Sequence, residues 1–148
     1  MMISTKGRYA LRVLVDLAEH DAGSYIPLKE VAQRQGISEK YLESIIKVLV
    51  RSGELEGVRG KGGGYRLTRP PEQYCLGDIL RLMEGTLAPV ACLEDNAKPC
   101  EKADRCRTLT LWTDLHRLVS DFFDARTLAD LLPAGGVEET GPSVESNL

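Results

Sequence analysis

A glycine-dense segment between two short strand-like runs is the feature that most constrains the fold. Residues 59–64 contain four glycines together with Arg59 and Lys61, and residues 55–58 and 65–68 on either side have strand character. Glycine adopts the backbone conformations that a tight connection between antiparallel strands requires. The segment therefore predicts a β-hairpin whose tip carries two cations.

Three helices are predicted before this hairpin. Apolar residues recur at the i, i+3, i+4, i+7 spacing of a buried stripe over residues 8–20, 28–35 and 38–52. Ser38 is a suitable N-cap for the third helix, and Gly53 suits its C-terminal end. The second and third helices fit a helix-turn-helix unit or an ordinary helical hairpin. Because a β-hairpin follows them, the order of elements favours a winged helix.

The candidate DNA-binding residues lie on the polar face of the third helix and at the tip of the hairpin. In helix-turn-helix proteins the second helix of the unit enters the major groove, and a cationic wing can contact phosphate or a narrow minor groove. Glu43 can accept a hydrogen bond from a cytosine amine or reject unsuitable sites. The full candidate set is Ser38, Lys40, Tyr41, Glu43, Ser44, Arg59 and Lys61.

The charge distribution agrees with DNA binding, although an accidental split on a solvated surface would look the same. Residues 1–69 contain 12 Lys/Arg and 8 Asp/Glu, whereas residues 70–148 contain 7 and 14, which gives net charges of +4 and −7. A basic half can attract DNA despite a net charge of −3, because the local field governs association.

The sequence contains no apolar run of membrane-spanning length and no secretory segment, so we expect a cytoplasmic protein without a membrane span.

The second half of the chain predicts a fourth helix, a long loop and a long last helix. Residues 76–84 carry an apolar stripe, and we expect Cys75 before them to be a buried small hydrophobe. Residues 86–104 have the composition of a functional loop. The last helix, over residues 104–125, is apolar around much of its girth, which favours a dimerisation helix over packing within one subunit.

The predicted fold is mainly α with a small β-hairpin wing: a winged helix-turn-helix followed by a long C-terminal dimerisation helix. Residues 1–84 form the winged-helix DNA-binding domain and residues 85–104 a cysteine-rich, cluster-binding loop. Residues 105–133 form the dimerisation helix and a short terminal helix. Residues 134–148 contain three Glu and no Lys or Arg, and we expect them to be a disordered acidic tail.

Three of the four cysteines lie close together: two in the predicted loop and the third, Cys106, at the start of the predicted last helix. Seven residues separate Cys92 from Cys100, and five separate Cys100 from Cys106. Structural zinc sites usually pair ligands with about two to four residues between them, and this set has no such pair. Thiolates are the preferred ligands of iron–sulfur clusters. The spacing favours a cluster, and zinc, redox-active thiols or no site at all stay open. A helix N-terminus beside Cys106 would favour its thiolate.

These residues resemble a known family, the bacterial iron–sulfur cluster regulators IscR and its relatives, which are winged-helix homodimeric transcription regulators. The resemblance extends to about Leu132 and rests on residues 4–10, 34–38, 41–43 and the wing with Arg59. Its most specific element is the combination of this wing with the later three-cysteine loop.

The resemblance implies a ligand set and two DNA-contacting roles. It places an iron–sulfur cluster, [2Fe-2S] in preference to [4Fe-4S], on Cys92, Cys100 and Cys106. It also implies that Glu43 tunes which DNA motif is accepted and that Arg59 contacts the minor groove.

The fourth cluster ligand is the point at which this sequence departs from the family. IscR-like members carry a histidine three residues after the last cysteine, and Leu109 occupies that position here. Some relatives use an acidic residue or a histidine from the partner's first helix, and the matching positions here are Arg8 and Arg12. None of these three side chains ligates iron. The other candidates near in sequence are Glu94, Asp95, Glu101, Asp104 and His116.

The sequence-based hypothesis is a homodimeric transcription regulator that binds near-palindromic double-stranded DNA and is controlled by an iron–sulfur cluster. The resemblance implies regulation of iron–sulfur cluster biogenesis. The alternative within this class is a cluster-free repressor that responds to thiol oxidation or cysteine metabolism. The alternative outside it is an iron–sulfur carrier or a protein-interaction module. We do not expect an enzyme, because His20 and His116, the only histidines, are not in a recognisable nucleophile–base arrangement.

Overall fold

The structure, a computed structural model, describes residues 2–133 of the chain. These residues form five α-helices, one two-stranded sheet and four short 3-10 helices. The tail predicted over residues 134–148 lies outside the described residues. The elements are α1 (Thr5–Glu19), α2 (Leu28–Gln35), α3 (Glu39–Arg51), β1 (Leu55–Val58), β2 (Gly64–Leu67), α4 (Leu76–Glu84) and α5 (Leu109–Asp124). This architecture confirms the predicted fold class. Among the described residues, no helix is long and apolar enough to cross a membrane.

The beginnings of α1 and α3 follow from the serines that cap them. The Ser4 hydroxyl oxygen accepts a hydrogen bond from the Gly7 amide (3.1 Å), and the Ser38 hydroxyl oxygen accepts one from the Tyr41 amide (3.2 Å). Each serine satisfies one of the free amide groups in the first helical turn. Because Ser4 caps it, α1 begins at Thr5, ahead of the predicted range.

The apolar stripes of the helices meet in a core beneath the helix-turn-helix unit. Tyr74, just before α4, is fully buried, and its hydroxyl donates to the Glu54 carbonyl and accepts from the Thr68 amide. Leu128, in the turn after α5, is buried in the same core, so this turn packs back onto the winged helix. The other large side chains that are fully buried are Val13, Leu14, Leu17, Val31, Leu42, Ile45, Leu49, Leu55, Ile79 and Leu80.

The wing is an antiparallel hairpin that is tied to the chain between α1 and α2. Its register pairs Leu55 with Leu67 and Val58 with Gly64. Tyr65 and Ile26 exchange two backbone hydrogen bonds of 2.8 and 2.9 Å. At Gly64, where φ is +148°, a Cβ atom would lie 2.2 Å from the Ile26 carbonyl oxygen. Only glycine permits this approach, which fixes the wing relative to the helix-turn-helix unit.

The fifth helix begins at Leu109, which corrects the predicted start near residue 104. Residues Ala103–Arg105 form a separate 3-10 helix, and Cys106 has an extended backbone (φ −76°, ψ 110°) through which an α-helix does not continue. α5 packs against α4, where the Arg81 guanidinium contacts both carboxylate oxygens of Asp124 at 2.8 Å. No residue of α5 is buried in the single chain.

Candidate functional site

The polar face of α3 presents its predicted DNA-binding side chains to solvent. Lys40, Tyr41, Glu43 and Ser44 are all exposed along the first two turns. The ring of Tyr41 packs edge-on against the ring of Tyr9, with 5.7 Å between the ring centroids. This contact to α1 orients Tyr41, while the neighbouring side chains stay free to face a ligand.

The two serines of the predicted set already make local hydrogen bonds. Ser38 caps α3 through the Tyr41 amide, and the Ser44 hydroxyl donates to the Tyr41 carbonyl oxygen at 2.7 Å. A hydroxyl group is both donor and acceptor, so Ser38 retains its proton and Ser44 its lone pairs for a further hydrogen bond. The hydrogen bonds of both serines hold the first turns of α3.

The tip of the wing carries Arg59 and Lys61, both exposed. Among residues 2–133, neither side chain makes a salt bridge, whereas Arg66 lower in the hairpin pairs with Glu56 and stacks over the Tyr25 ring. The two cations at the tip are therefore available to an anionic partner, and Arg66 is committed to the fold.

A groove between α3 and the wing contains two cations that the predicted set omits. Lys47 and Arg51 line it together with Arg59, and its volume is about 480 Å³. The exposed side chains of Val50 and Val58 also line it. The spacing of Lys47 and Arg51, four residues apart on the face that also carries Glu43, is the sequence signal that indicates this basic edge. The groove has the size and charge to accept a sugar–phosphate backbone.

A buried carboxylate holds the helix-turn-helix unit together. Asp16 of α1 is 1% exposed, and it accepts hydrogen bonds from Arg34 (2.7 Å) and Gln35 (2.8 Å) at the end of α2. Burial alone would raise the pKa of Asp16. The hydrogen bonds from Arg34 and Gln35 and the charge of Arg34 outweigh burial and hold the pKa below its ordinary value of 3.8. Asp16 was not predicted, because an aspartate within an amphipathic helix has no sequence signature of burial.

The three clustered cysteines lie on the surface between α4 and α5. Cys92, Cys100 and Cys106 are exposed free thiols, and none belongs to a group of three metal-ligating side chains among the described residues. The hydrogen bond of Cys106 with the Thr108 hydroxyl (3.5 Å) and the backbone amides that begin α5 lower the pKa of its thiol. In chemistry and accessibility, the three thiols therefore fit three of the four ligands of an iron–sulfur cluster. Their sulfur atoms are not gathered at one place in this structure.

The positions that correspond to the family's fourth ligand, and the acidic candidates of the loop, are mostly exposed. Leu109 is half-buried, Arg8 is exposed, and Arg12 donates hydrogen bonds to Gln35. The four acidic candidates of the loop, Glu94, Asp95, Glu101 and Asp104, are exposed.

A different group of potential ligands forms at the junction of α4 and α5. Ligand atoms of Cys75, Asp78 and Asp124 lie within 4.8 Å of one another. The Arg81 guanidinium pairs with Asp124 and lies 3.6 Å from Asp78, so its single positive charge offsets part of the negative charge of the two carboxylates. Cys75 is half-buried rather than buried as predicted, because its thiol faces Asp124 at 3.7 Å. The group is a structural junction.

Relatives of known identity are transcription regulators. Residues 3–134 match the Rrf2 family, described as iron-dependent transcriptional regulators. The chain is 34% identical to the regulator IscR of Aliivibrio salmonicida over 139 residues, covering 94% of this chain and 82% of that protein. It is 38% identical to the protein rrf2 of Nitratidesulfovibrio vulgaris over 132 residues, covering 89% and 87%.

Solved structures give the same result. CymR, the global cysteine regulator of B. subtilis, superposes with a TM-score of 0.73 at 38% identity, covering 88% of this chain and 95% of that one. T. potens IscR superposes with a TM-score of 0.69 at 36% identity, covering 88% and 85%. The resemblance to IscR and its relatives is thus confirmed, and so is the prediction of a non-enzymatic regulator. The chain belongs to the Rrf2 family of transcriptional regulators.

Proposed function

We propose that this protein is a homodimeric regulator that binds near-palindromic DNA and whose affinity is controlled by an iron–sulfur cluster on Cys92, Cys100 and Cys106. The observation that carries the proposal is the placement of these three exposed thiols on one segment between the DNA-binding unit and the last helix. The resemblance to IscR supports genes of iron–sulfur cluster biogenesis as its targets.

DNA binding is proposed through α3 in the major groove and the wing beside it. Lys40, Tyr41, Glu43 and Ser44 are exposed on α3 where a recognition helix contacts base edges. The basic groove between α3 and the wing supports a path for the DNA backbone, and Arg59 at the wing tip is suited to a narrow minor groove.

Dimerisation is proposed through α5. Three large apolar side chains on this helix are exposed in the single chain: Leu111 by 59%, Leu118 by 68% and Phe122 by 50%. Around Leu118 and Phe122 lies an apolar groove of about 290 Å³ that Ile3 also lines. A second copy of the same helix covers such a stripe by a symmetric contact, and it would place two α3 helices on one operator.

The cluster is proposed to act on the segment that holds it. Cluster binding would draw three thiolates of residues 92–106 together, and when bound the cluster supplies a group that responds to oxidants and to iron supply. This segment leads directly into α5, and the Arg81–Asp124 ion pair joins α5 to the winged-helix core. A conformational change in residues 92–106 can therefore shift α5 and change the spacing of the two DNA-binding units of the proposed dimer.

Replacement of all three loop cysteines by serine is expected to abolish cluster binding. Protein reconstituted anaerobically with iron and sulfide should show visible absorbance, and the Cys92→Ser, Cys100→Ser, Cys106→Ser triple variant should be colourless. The matched control is Cys75→Ser, which removes the fourth thiol and should retain the spectrum. Colourless wild-type protein with full iron and sulfide supply would contradict the proposal.

A cluster-free regulator of cysteine metabolism is the second candidate. Two observations favour it: the three thiols are not gathered around a point, and CymR, a cysteine regulator, superposes well on this chain. The same reconstitution separates the two candidates. A colourless protein whose operator binding responds to thiol oxidation would support the second.

Replacement of Arg59 by alanine is expected to weaken operator binding by about 1–3 kcal/mol if its guanidinium enters the minor groove. Mobility-shift titration with the DNA upstream of the protein's own gene, against a scrambled duplex, measures the change. The comparison variant is Lys61→Ala at the same wing tip. If Lys61 only contacts phosphate, its loss should weaken both duplexes equally and reduce the salt dependence. Unchanged affinity of Arg59→Ala for the operator would place this role elsewhere.

A further inference from the structure

A small polar pocket lies where the end of α4, the following loop and the middle of α5 meet. Its volume is about 150 Å³, and its lining includes Arg81, Thr86, Leu93, Asp95, His116 and Ser120. Leu93 follows Cys92 directly in the chain. Cys92, the first of the three clustered thiols, is therefore the chain neighbour of a residue that lines the pocket.

The imidazole of His116 has an unusual position in this pocket. Its Nδ1 atom is buried and has no hydrogen-bond partner among the described residues. A buried polar atom without a partner costs about 1–3 kcal/mol, so such atoms commonly mark a site for a bound species. The other histidine of the sequence differs, because Nδ1 of His20 lies 2.8 Å from the Asp16 carbonyl oxygen.

The unpartnered imidazole nitrogen of His116 can act as the fourth cluster ligand that the three cysteines do not supply. Biological iron–sulfur clusters take four protein ligands, and neutral imidazole can replace thiolate at iron. The three thiols supply three ligands. Asp95 lines the same pocket, but its side chain is exposed and its carboxylate is a harder ligand.

We propose that His116, through Nδ1, supplies the fourth protein ligand to the cluster held by Cys92, Cys100 and Cys106. This inference rests on the proposed function and goes beyond it by naming the residue that completes the site. His116 would hold the cluster through Nδ1 as a neutral imidazole, whose proton would then be on Nε2.

Hydrogen bonds within the described part of the chain do not hold the segment that carries the thiols away from His116. Every hydrogen bond made by residues 86–108 in the described part of the chain joins groups close in sequence, such as the Ala103 amide with the Cys100 carbonyl (3.0 Å). His116 lies about 10 Å along α5 from Leu109, at a helical rise of about 1.5 Å per residue. The three residues that precede Leu109 can span about the same distance when extended. Cys106 can therefore reach the level of His116 without unwinding α5.

Isotope labelling of wild-type protein tests the proposal without a substitution that could disturb folding. Protein is reconstituted anaerobically, reduced with dithionite, and measured by pulsed electron paramagnetic resonance with natural-abundance or ¹⁵N-labelled histidine. We expect a nitrogen hyperfine coupling of a directly bound imidazole, which changes to the ¹⁵N pattern on labelling. A paramagnetic cluster without any histidine coupling would overturn the proposal and leave the proposed function intact. Absence of a cluster would overturn both.

Two matched variants assign the nitrogen, since the sequence contains two histidines. The coupling should persist in His20→Ala and disappear in His116→Ala, whose thermal melting is checked by circular dichroism. The cluster of His116→Ala should also be lost to a chelator at least about 10-fold faster, because ligand and support changes commonly cost that much in metal affinity. A coupling that survives in His116→Ala, or is lost in His20→Ala, would refute the assignment.

Discussion

Replacement of Leu118 by glutamate is expected to convert the protein to a monomer and to weaken operator binding by at least about 100-fold. The expected loss is this large because linking two DNA-binding units typically increases affinity by about 10²–10⁴-fold. Leu118 is 68% exposed in the single chain and lies beside the half-exposed ring of Phe122. A carboxylate in the middle of a two-fold apolar contact would face its own copy and would lose its hydration.

Light scattering after size-exclusion chromatography measures the oligomeric state, and mobility shift measures the operator affinity. The matched control is Thr110→Glu, which places the same charge on an exposed polar position of α5 outside the apolar stripe. It should leave both the dimer and its affinity close to those of the wild type. A Leu118→Glu protein that remains dimeric would show that α5 is covered in another way.

Replacement of Asp16 by alanine is expected to lower the free energy of unfolding by about 3 kcal/mol. The carboxylate is 1% exposed and joins α1 to α2 through Arg34 and Gln35. Its loss leaves the Arg34 guanidinium and the Gln35 amide nitrogen without the carboxylate to which they donate. The Arg34 side chain is 31% exposed and can partly rehydrate, so we place the cost at the lower end of the range for broken buried pairs.

Urea unfolding at a fixed protomer concentration measures this cost, since the stability of the proposed dimer would depend on concentration. Glu19→Ala is the matched control, because it removes an exposed carboxylate from the same helix and should change the stability little. An Asp16→Ala protein as stable as the control would show that the network is dispensable.

The Asp16 contribution is also expected to depend on pH in one direction. The folded-state pKa of Asp16 is held below 3.8, mainly because the Arg34 and Gln35 hydrogen bonds outweigh the opposing effect of burial. A carboxylate whose pKa is lower in the folded state stabilises the protein fully above its unfolded pKa and loses that contribution as the pH falls through the folded value. The stability difference between wild type and Asp16→Ala should therefore be constant near neutral pH and shrink below about pH 4.

Local sequence signals predicted most of the fold. The i, i+3, i+4 stripes identified α1, α3 and α4, and the glycines between residues 59 and 64 identified the hairpin with its two cations. These elements depend on capping, periodicity and turn chemistry over a few neighbouring residues, so a single sequence is sufficient to predict them. The start of α5 was predicted too early, because helical propensity does not reveal the extended backbone at Cys106.

Some features of the candidate site were likewise predictable from local sequence, whereas others depend on tertiary contacts. The sequence by itself determined which side chains are exposed on α3 and at the wing tip, and it showed three thiols in one segment. Only the tertiary structure decided that Asp16 is a buried anchor for Arg34, that Lys47 and Arg51 extend the basic surface, and that Nδ1 of His116 is buried beside the cysteine segment. These features arise where elements distant in sequence meet, and burial, ion pairing and pocket formation depend on those contacts rather than on any local pattern.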